Sequence, residues 1–160
     1  MLANNEVLLD SQMLAIKQLC IKLLAIREHS KKDLLNKVLA RGFDRDTSIQ
    51  VIDLLAQDGW QSDSRFAESY ARYRILKGYG SIYINFELKK QGIKQFDLEP
   101  IVLSTVGSWL DVAEKVYLKK YDDQVCLDRN EWAKRSRFLM QRGFPNTIIS
   151  TLFEQLNIKF

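Results

Sequence analysis

A glycine followed by a large apolar residue recurs as Gly42-Phe43, Gly92-Ile93 and Gly143-Phe144, at intervals of 50 and 51 residues. Each pair falls just after one amphipathic stretch and just before another, where glycine ends a helix by taking left-handed dihedrals at no steric cost. Other positions keep the same register. Val38, Leu88 and Leu139 stand four residues before each glycine; Val51-Ile52, Ile101-Val102 and Leu152-Phe153 stand nine and ten after it. Apolar side chains at matched offsets predict one small helical unit built three times, each too small to bury its apolar face alone and so stacked on the next. The expected fold is all-α: three tandem three-helix repeats over 11–59, 60–107 and 108–160, stacked into an elongated, curved molecule after a frayed N-terminus at 1–10. Coincidental spacing of helix-ending glycines is the alternative, and a strand at any of these sites would favour it.

Local signals place nine helices. The first is expected from about Ser11 to Glu28, with Leu14, Ile16, Leu19, Leu23 and Ile26 as its stripe. Ser30 and Asp33 form a capping-box pair before the second, and Asp44 or Asp46 caps the third, which ends in an Asp58-Gly59 connector. Asp63 is expected to cap a fourth, carrying Phe66, Ala67, Tyr70 and Tyr73 at core spacing. The corner Lys77-Gly78-Tyr79-Gly80 stops it, Ser81 caps the fifth, and Ile84 and Leu88 face inward until Gly92. Asp97, Trp109, Asp128 with Glu131, and Pro145 mark the remaining starts.

Apolar residues make up 46% and charged residues 28%, a globular composition. The net charge of +4 and a pI near 9.0 permit a polyanionic partner without demanding one. Cys20 and Cys126 match no metal-ligand spacing, which suits a reduced, cytoplasmic protein. The apolar run Leu14 to Ile26 is broken by Lys17, Gln18 and Lys22, so it suits an amphipathic helix and not a membrane span. His29, the sole histidine, is expected at the surface of a helix end, and no metal or cofactor site is proposed. Gly78-x-Gly80 follows a helix and lacks the strand of a nucleotide cradle, and nothing points to an enzyme.

Cations gather in two places. Arg65, Arg72, Arg74, Lys77, Lys89 and Lys90 edge the central helix pair, and Arg129, Lys134, Arg135, Arg137 and Arg142 face only Glu131 between residues 129 and 142. The second group reads either as a DNA or acidic-partner surface or as a solvated helix face; Arg135 and Arg142 fall on one side of it. Candidate contacts to a partner or DNA are Arg72, Lys77, Tyr79, Lys89, Lys90, Lys134, Arg135, Arg137 and Arg142. Arg74 is expected to pair with Glu87 across the hairpin and fix the angle between its helices.

The pattern Asp63, Phe66-Ala67, Tyr70, Arg74, Gly78-x-Gly80, Ile84, Glu87-Leu88 and Gly92-Ile93, preceded by Arg27, Ser30, Leu34-Leu35, Lys37 and Gly42-Phe43, resembles the RecX family, regulators of the RecA recombinase. The likeness covers Leu24 to Ile93 well and the remainder by repeat architecture and length. It implies a cytoplasmic, all-helical, non-catalytic protein of three tandem three-helix repeats, and a monomer is expected. Such proteins bind in the helical groove of the RecA–single-stranded DNA filament and modulate its growth, ATP hydrolysis and strand exchange, usually as inhibitors, in DNA repair and the SOS response. Weak direct contact with single- or double-stranded DNA is also implied, and a stand-alone nucleic-acid-binding module is the alternative. One departure stands out: after Gly80 the family commonly carries proline and arginines, where this chain has Ser81, Ile82, Tyr83 and Asn85. Phosphate contact by that helix is therefore not carried over.

Overall fold

The computed structural model describes residues 2–160, and among them nine helices and one isolated bridge, Cys126 to Lys159, account for the regular structure. The helices are α1 (Leu2–Ile26), α2 (Lys31–Ala40), α3 (Arg45–Gln57), α4 (Asp63–Leu76), α5 (Ser81–Lys90), α6 (Glu99–Thr105), α7 (Trp109–Lys120), α8 (Arg129–Gln141) and α9 (Asn146–Gln155). None of them is long and apolar enough to cross a membrane.

The glycine stops behave as their spacing predicts. Gly42, Gly92 and Gly143 have φ of +88°, +79° and +95°, the left-handed region where a Cβ is strained. The register of burial follows the register of sequence: Val38, Leu88 and Leu139 are at most 1% exposed, and the six partners nine and ten residues after the glycines at most 8%.

Caps form at Ser30, Asp44 and Asp128, whose side chains accept from the amides of Asp33, Thr47 and Glu131. Others shift. Ser62 caps α4 by accepting from the Arg65 amide, which frees the Asp63 carboxylate to accept from the Lys31 backbone at 2.9 Å and from Gln61 Nε2 at 3.0 Å. Gly80 rather than Ser81 precedes α5, and Pro145 stands just outside α9. α1 begins at Leu2 rather than Ser11, since no glycine or proline interrupts residues 2–26. Its expected stripe is only partly buried: Ile16 is enclosed with Cys20, while Leu14 and Ile26 are exposed.

The chain divides into two compact units. The first reaches to Ala67 and takes in Gln91–Ile93; the second comprises Glu68–Lys90 and Lys94–Phe160. The division lies inside α4.

In the first unit Ile16, Cys20, Leu34, Val38, Val51, Ile52 and Leu55 form the core, each large aliphatic contributing about 1.5–3 kcal/mol. Burial pushes the Cys20 thiol up to about 11, so it serves as a small apolar filler. His29 is not at the surface: it is 2% exposed, with Nδ1 2.6 Å from Asp33 Oδ2 and its carbonyl accepting from Gln61 Nε2. The carboxylate that a capping box would return to the Ser30 amide is drawn to this imidazole, with Arg27 and Lys37 also within 4 Å of it.

In the second unit, α7, α8 and α9 enclose Val112, Ala113, Tyr117, Leu139, Phe144, Leu152 and Phe153. The loop after α7 is pinned by residues 159 and 160, where Lys159 N donates to Val125 O and Leu127 N to Lys159 O, and the Phe160 ring packs tilted against Trp132. The start of α5 is joined to the end of α8 through the backbone. Gly80 N donates to Arg142 O at 2.8 Å and Ile82 N to Gly143 O at 3.0 Å. A Cβ on Gly80 would strike the Gly143 carbonyl, and one on Gly143 would strike Tyr83. This close approach is why the second and third groups of helices form one unit.

Candidate partner and nucleic-acid surface

The Gly78-Tyr79-Gly80 corner gathers aromatic rings around an arginine. Tyr70 and Tyr73 project from α4, Tyr79 from the corner and Tyr83 from α5, and all four ring centroids lie 5.2–5.7 Å from Arg74 Cζ. Arg74 Nε donates to Tyr70 Oη at 3.1 Å, a bond that holds the guanidinium pKa above its ordinary value. The expected ion pair with Glu87 does not form; Glu87 pairs with Lys90 at 3.3 Å. A planar, weakly hydrated guanidinium is well satisfied by ring faces and a phenol, so Arg74 keeps a structural role through different partners.

Tyr79 is half-buried and stacked on Tyr83 at 4.2 Å, with Arg142 Cζ 4.8 Å from its ring. Arg142 Nη1 also donates to the Lys77 carbonyl at 3.1 Å. Lys77, Tyr79 and Arg142 are thus brought together. Tyr73, expected in the core, is 55% exposed.

Arg135 is a correction. It is 3% exposed, and its guanidinium donates to Tyr117 Oη at 2.9 Å, Glu131 Oε1 at 3.0 Å and Asp122 Oδ1 at 3.2 Å. Burial works against its charge, but the three hydrogen bonds outweigh it and the pKa is raised. Such a group cannot also meet a phosphate. Arg135 on α8 turns inward, while Arg142, just past its end, lies half-buried against the Lys77 carbonyl. Exposed candidates remain in Arg72, Lys89, Lys90, Lys134 and Arg137, of which Arg72, Lys90 and Lys134 pair with Glu68, Glu87 and Glu131. Among the described residues no hydrogen bond or ring contact joins these five to the Tyr79 corner.

The sequence reading passed over Lys115 and Lys119. Both line a groove of about 150 Å³ with Lys77, floored by Ile75, Val112 and Val116. Their four-residue spacing on α7 was visible; that Lys77 joins them from just past α4 was not, because 38 residues separate it from Lys115.

Family models for the second and third three-helix domains of RecX match residues 62–99 and 110–153. A regulatory protein RecX of Pseudomonas fluorescens (strain SBW25) is 34% identical over 91% of this chain and 94% of its own length. One from Legionella pneumophila (strain Corby) is 32% identical over 88% and 93%. The crystal structure of RecX from Lactobacillus salivarius has the same fold, with a TM-score of 0.75 at 20% identity over 94% of this chain and 99% of that one. With a third of its residues identical along nine-tenths of a relative's length, and two of its helix groups matched as RecX domains, the chain belongs to the RecX family.

Proposed function

We propose that this protein is a non-enzymatic, cytoplasmic regulator of the RecA recombinase. It seats in the helical groove of the RecA–single-stranded DNA filament and slows ATP hydrolysis and strand exchange in DNA repair and the SOS response. Kinship with proteins named RecX along nearly the whole chain carries this reading. It acts as a monomer, and each of its repeats, 11–59, 60–107 and 108–160, offers a surface to the filament. Exposed cations at Arg72, Lys77, Lys89, Lys90, Lys134 and Arg137 suit an acidic partner surface or a phosphate backbone through many moderate contacts. Purified protein added at substoichiometric to equimolar ratios should slow ATP hydrolysis by RecA on single-stranded DNA; unaltered hydrolysis and strand exchange across that range would remove the proposal.

A second reading, a nucleic-acid-binding module that acts without the recombinase, is favoured by the Lys77, Lys115 and Lys119 groove. A pull-down with RecA, with and without single-stranded DNA and nucleotide, separates the two.

A further inference from the structure

α1 is longer than the core it packs on. It runs for 25 residues, about 38 Å, yet burial along it begins only at Gln12, and residues 2–11 are all exposed. A ten-residue helical arm without tertiary cover is marginal in water, so this one invites a partner. Leu2 and Leu9 continue the line of Met13, Ile16 and Cys20 at steps of seven, four, three and four, so the core-facing stripe runs on past the core. Where the arm leaves the unit, Met13 and Leu14 of α1 with Val51, Leu54 and Leu55 of α3 line an open groove of about 390 Å³. Leu14 and Leu54 are 55% and 50% exposed there. An apolar stripe joined to an apolar groove is a continuous patch and not scattered exposure, and such patches mark contact surfaces.

We infer that this surface pairs with a second copy of the chain: two α1 helices lie antiparallel, each arm resting in the other copy's α1–α3 groove. Charge selects the occupant. The arm carries Glu6 and Asp10 and no basic side chain, whereas Lys17 and Lys22 follow farther along α1. Among the described residues none of these four has an ion-pair partner. The acids lie outside the first turn and the lysines outside the last, so the helix dipole accounts for neither. A helix acidic toward one end and basic toward the other complements its own reversal. With the two-fold axis at Ser11 and Gln12, each Glu6 comes level with the partner's Lys17 and each Leu9 with the partner's Leu14 beside the groove, and the symmetry makes every such contact twice. A lipid surface suits this arm poorly, because two acids without a base are repelled by anionic headgroups. The pair is the resting form of the free chain and parts before the monomer acts, so it stands or falls separately from the regulatory reading.

The test is sedimentation velocity of the purified full chain from about 2 to 200 μM, the range in which a small interface associates. Across it the weight-average mass should rise from 18.7 kDa toward twice that value. Leu9→Glu and Leu54→Glu, both at exposed positions, should each hold the chain at 18.7 kDa throughout. Glu6→Lys and Lys17→Glu should each weaken association about tenfold, since either sets two like-charged pairs face to face. The double variant Glu6→Lys/Lys17→Glu should restore it to within about twofold of the parent, because the swap returns opposite charges to the same register. Circular dichroism melts establish that each variant folds. A parent chain that stays monomeric at the highest concentration would overturn the inference, as would association that survives both leucine variants or a charge swap that restores nothing. So would a monomeric parent that cosediments with phosphatidylglycerol vesicles and loses them on Leu9→Glu, which would give the arm to a lipid surface.

Discussion

Replacing Arg135 by alanine tests whether the cationic stretch before Gly143 faces inward. The guanidinium is almost wholly buried and serves three acceptors of unequal weight. Asp122 is 64% exposed, so its pair is screened and contributes little. Glu131 is about one-third exposed and spans one helical turn, contributing on the order of 1 kcal/mol. The Tyr117 hydroxyl is the expensive partner, because Tyr117 is 1% exposed and a buried hydroxyl left without its partner costs about 1–3 kcal/mol. Together these give a loss of about 3 kcal/mol, or a Tm lowered by about 6–12 °C for a chain of this size. Urea melts followed by circular dichroism measure it. The sharper readout is a double-mutant cycle. Tyr117→Phe should destabilise the parent by about 1 kcal/mol yet be neutral or stabilising in the Arg135→Ala background, where it deletes an orphaned hydroxyl. Additive effects, with Arg135→Ala within about 0.5 kcal/mol of the parent, would place the guanidinium in solvent and restore it as a surface contact.

Two further measurements bear on the fold. Gly42 has open space where a Cβ would go, so Gly42→Ala should cost only the left-handed strain, about 1 kcal/mol, whereas Gly143→Ala adds a collision with Tyr83 and should cost at least about twice as much; equal losses in urea melts would refute the close backbone approach. Asp33 has its pKa lowered: burial opposes ionisation, but the hydrogen bond to His29 and the charges of Lys37 and Arg27 outweigh it. A folded pKa below the unfolded value of about 3.9 gives stability that is full above that pH and lost as pH falls through the folded value. Asp33→Asn should therefore be less stable than the parent at pH 7 by about 1–2 kcal/mol, with the gap closing below about pH 4; a gap that is constant from pH 7 to pH 3 would exclude the charge as its origin.

What could be read in advance was local or periodic. Serine and aspartate caps act within three residues, and a left-handed glycine needs no partner, so Ser30, Asp44, Asp128, Gly42, Gly92 and Gly143 were legible from the chain. What was misread needed a distant partner. Spacing places Phe66, Tyr70 and Tyr73 near one another on α4 but gives no depth, and Tyr73 lies outside the buried arc that Phe66 occupies. His29 beside a cap reads as surface until Gln61, 32 residues away, closes over its carbonyl. Spacing on α8 gives no depth to Arg135 either; only Tyr117, 18 residues away on α7, turns it inward.

The same unit shows how a surplus of positive charge divides by side-chain type. Arg74, Arg135 and Arg142 each rest on aromatic rings and donate to a phenol or a carbonyl, so guanidinium groups hold the unit together. Lys90 and Lys120 also approach rings, those of Phe86 and Phe138, yet both remain exposed. The difference follows from hydration: a guanidinium surrenders water readily and keeps its directional donors satisfied, while an ammonium group stays wet and leaves only its stem on the protein. A charge scan that treats the two alike would find its largest effects at arginines and mistake lost folding for lost binding. Binding losses that persist in variants with unchanged melting curves should map to Lys77, Lys115, Lys119 and the other exposed cations, and it is at those positions that a search for the partner surface has to be made.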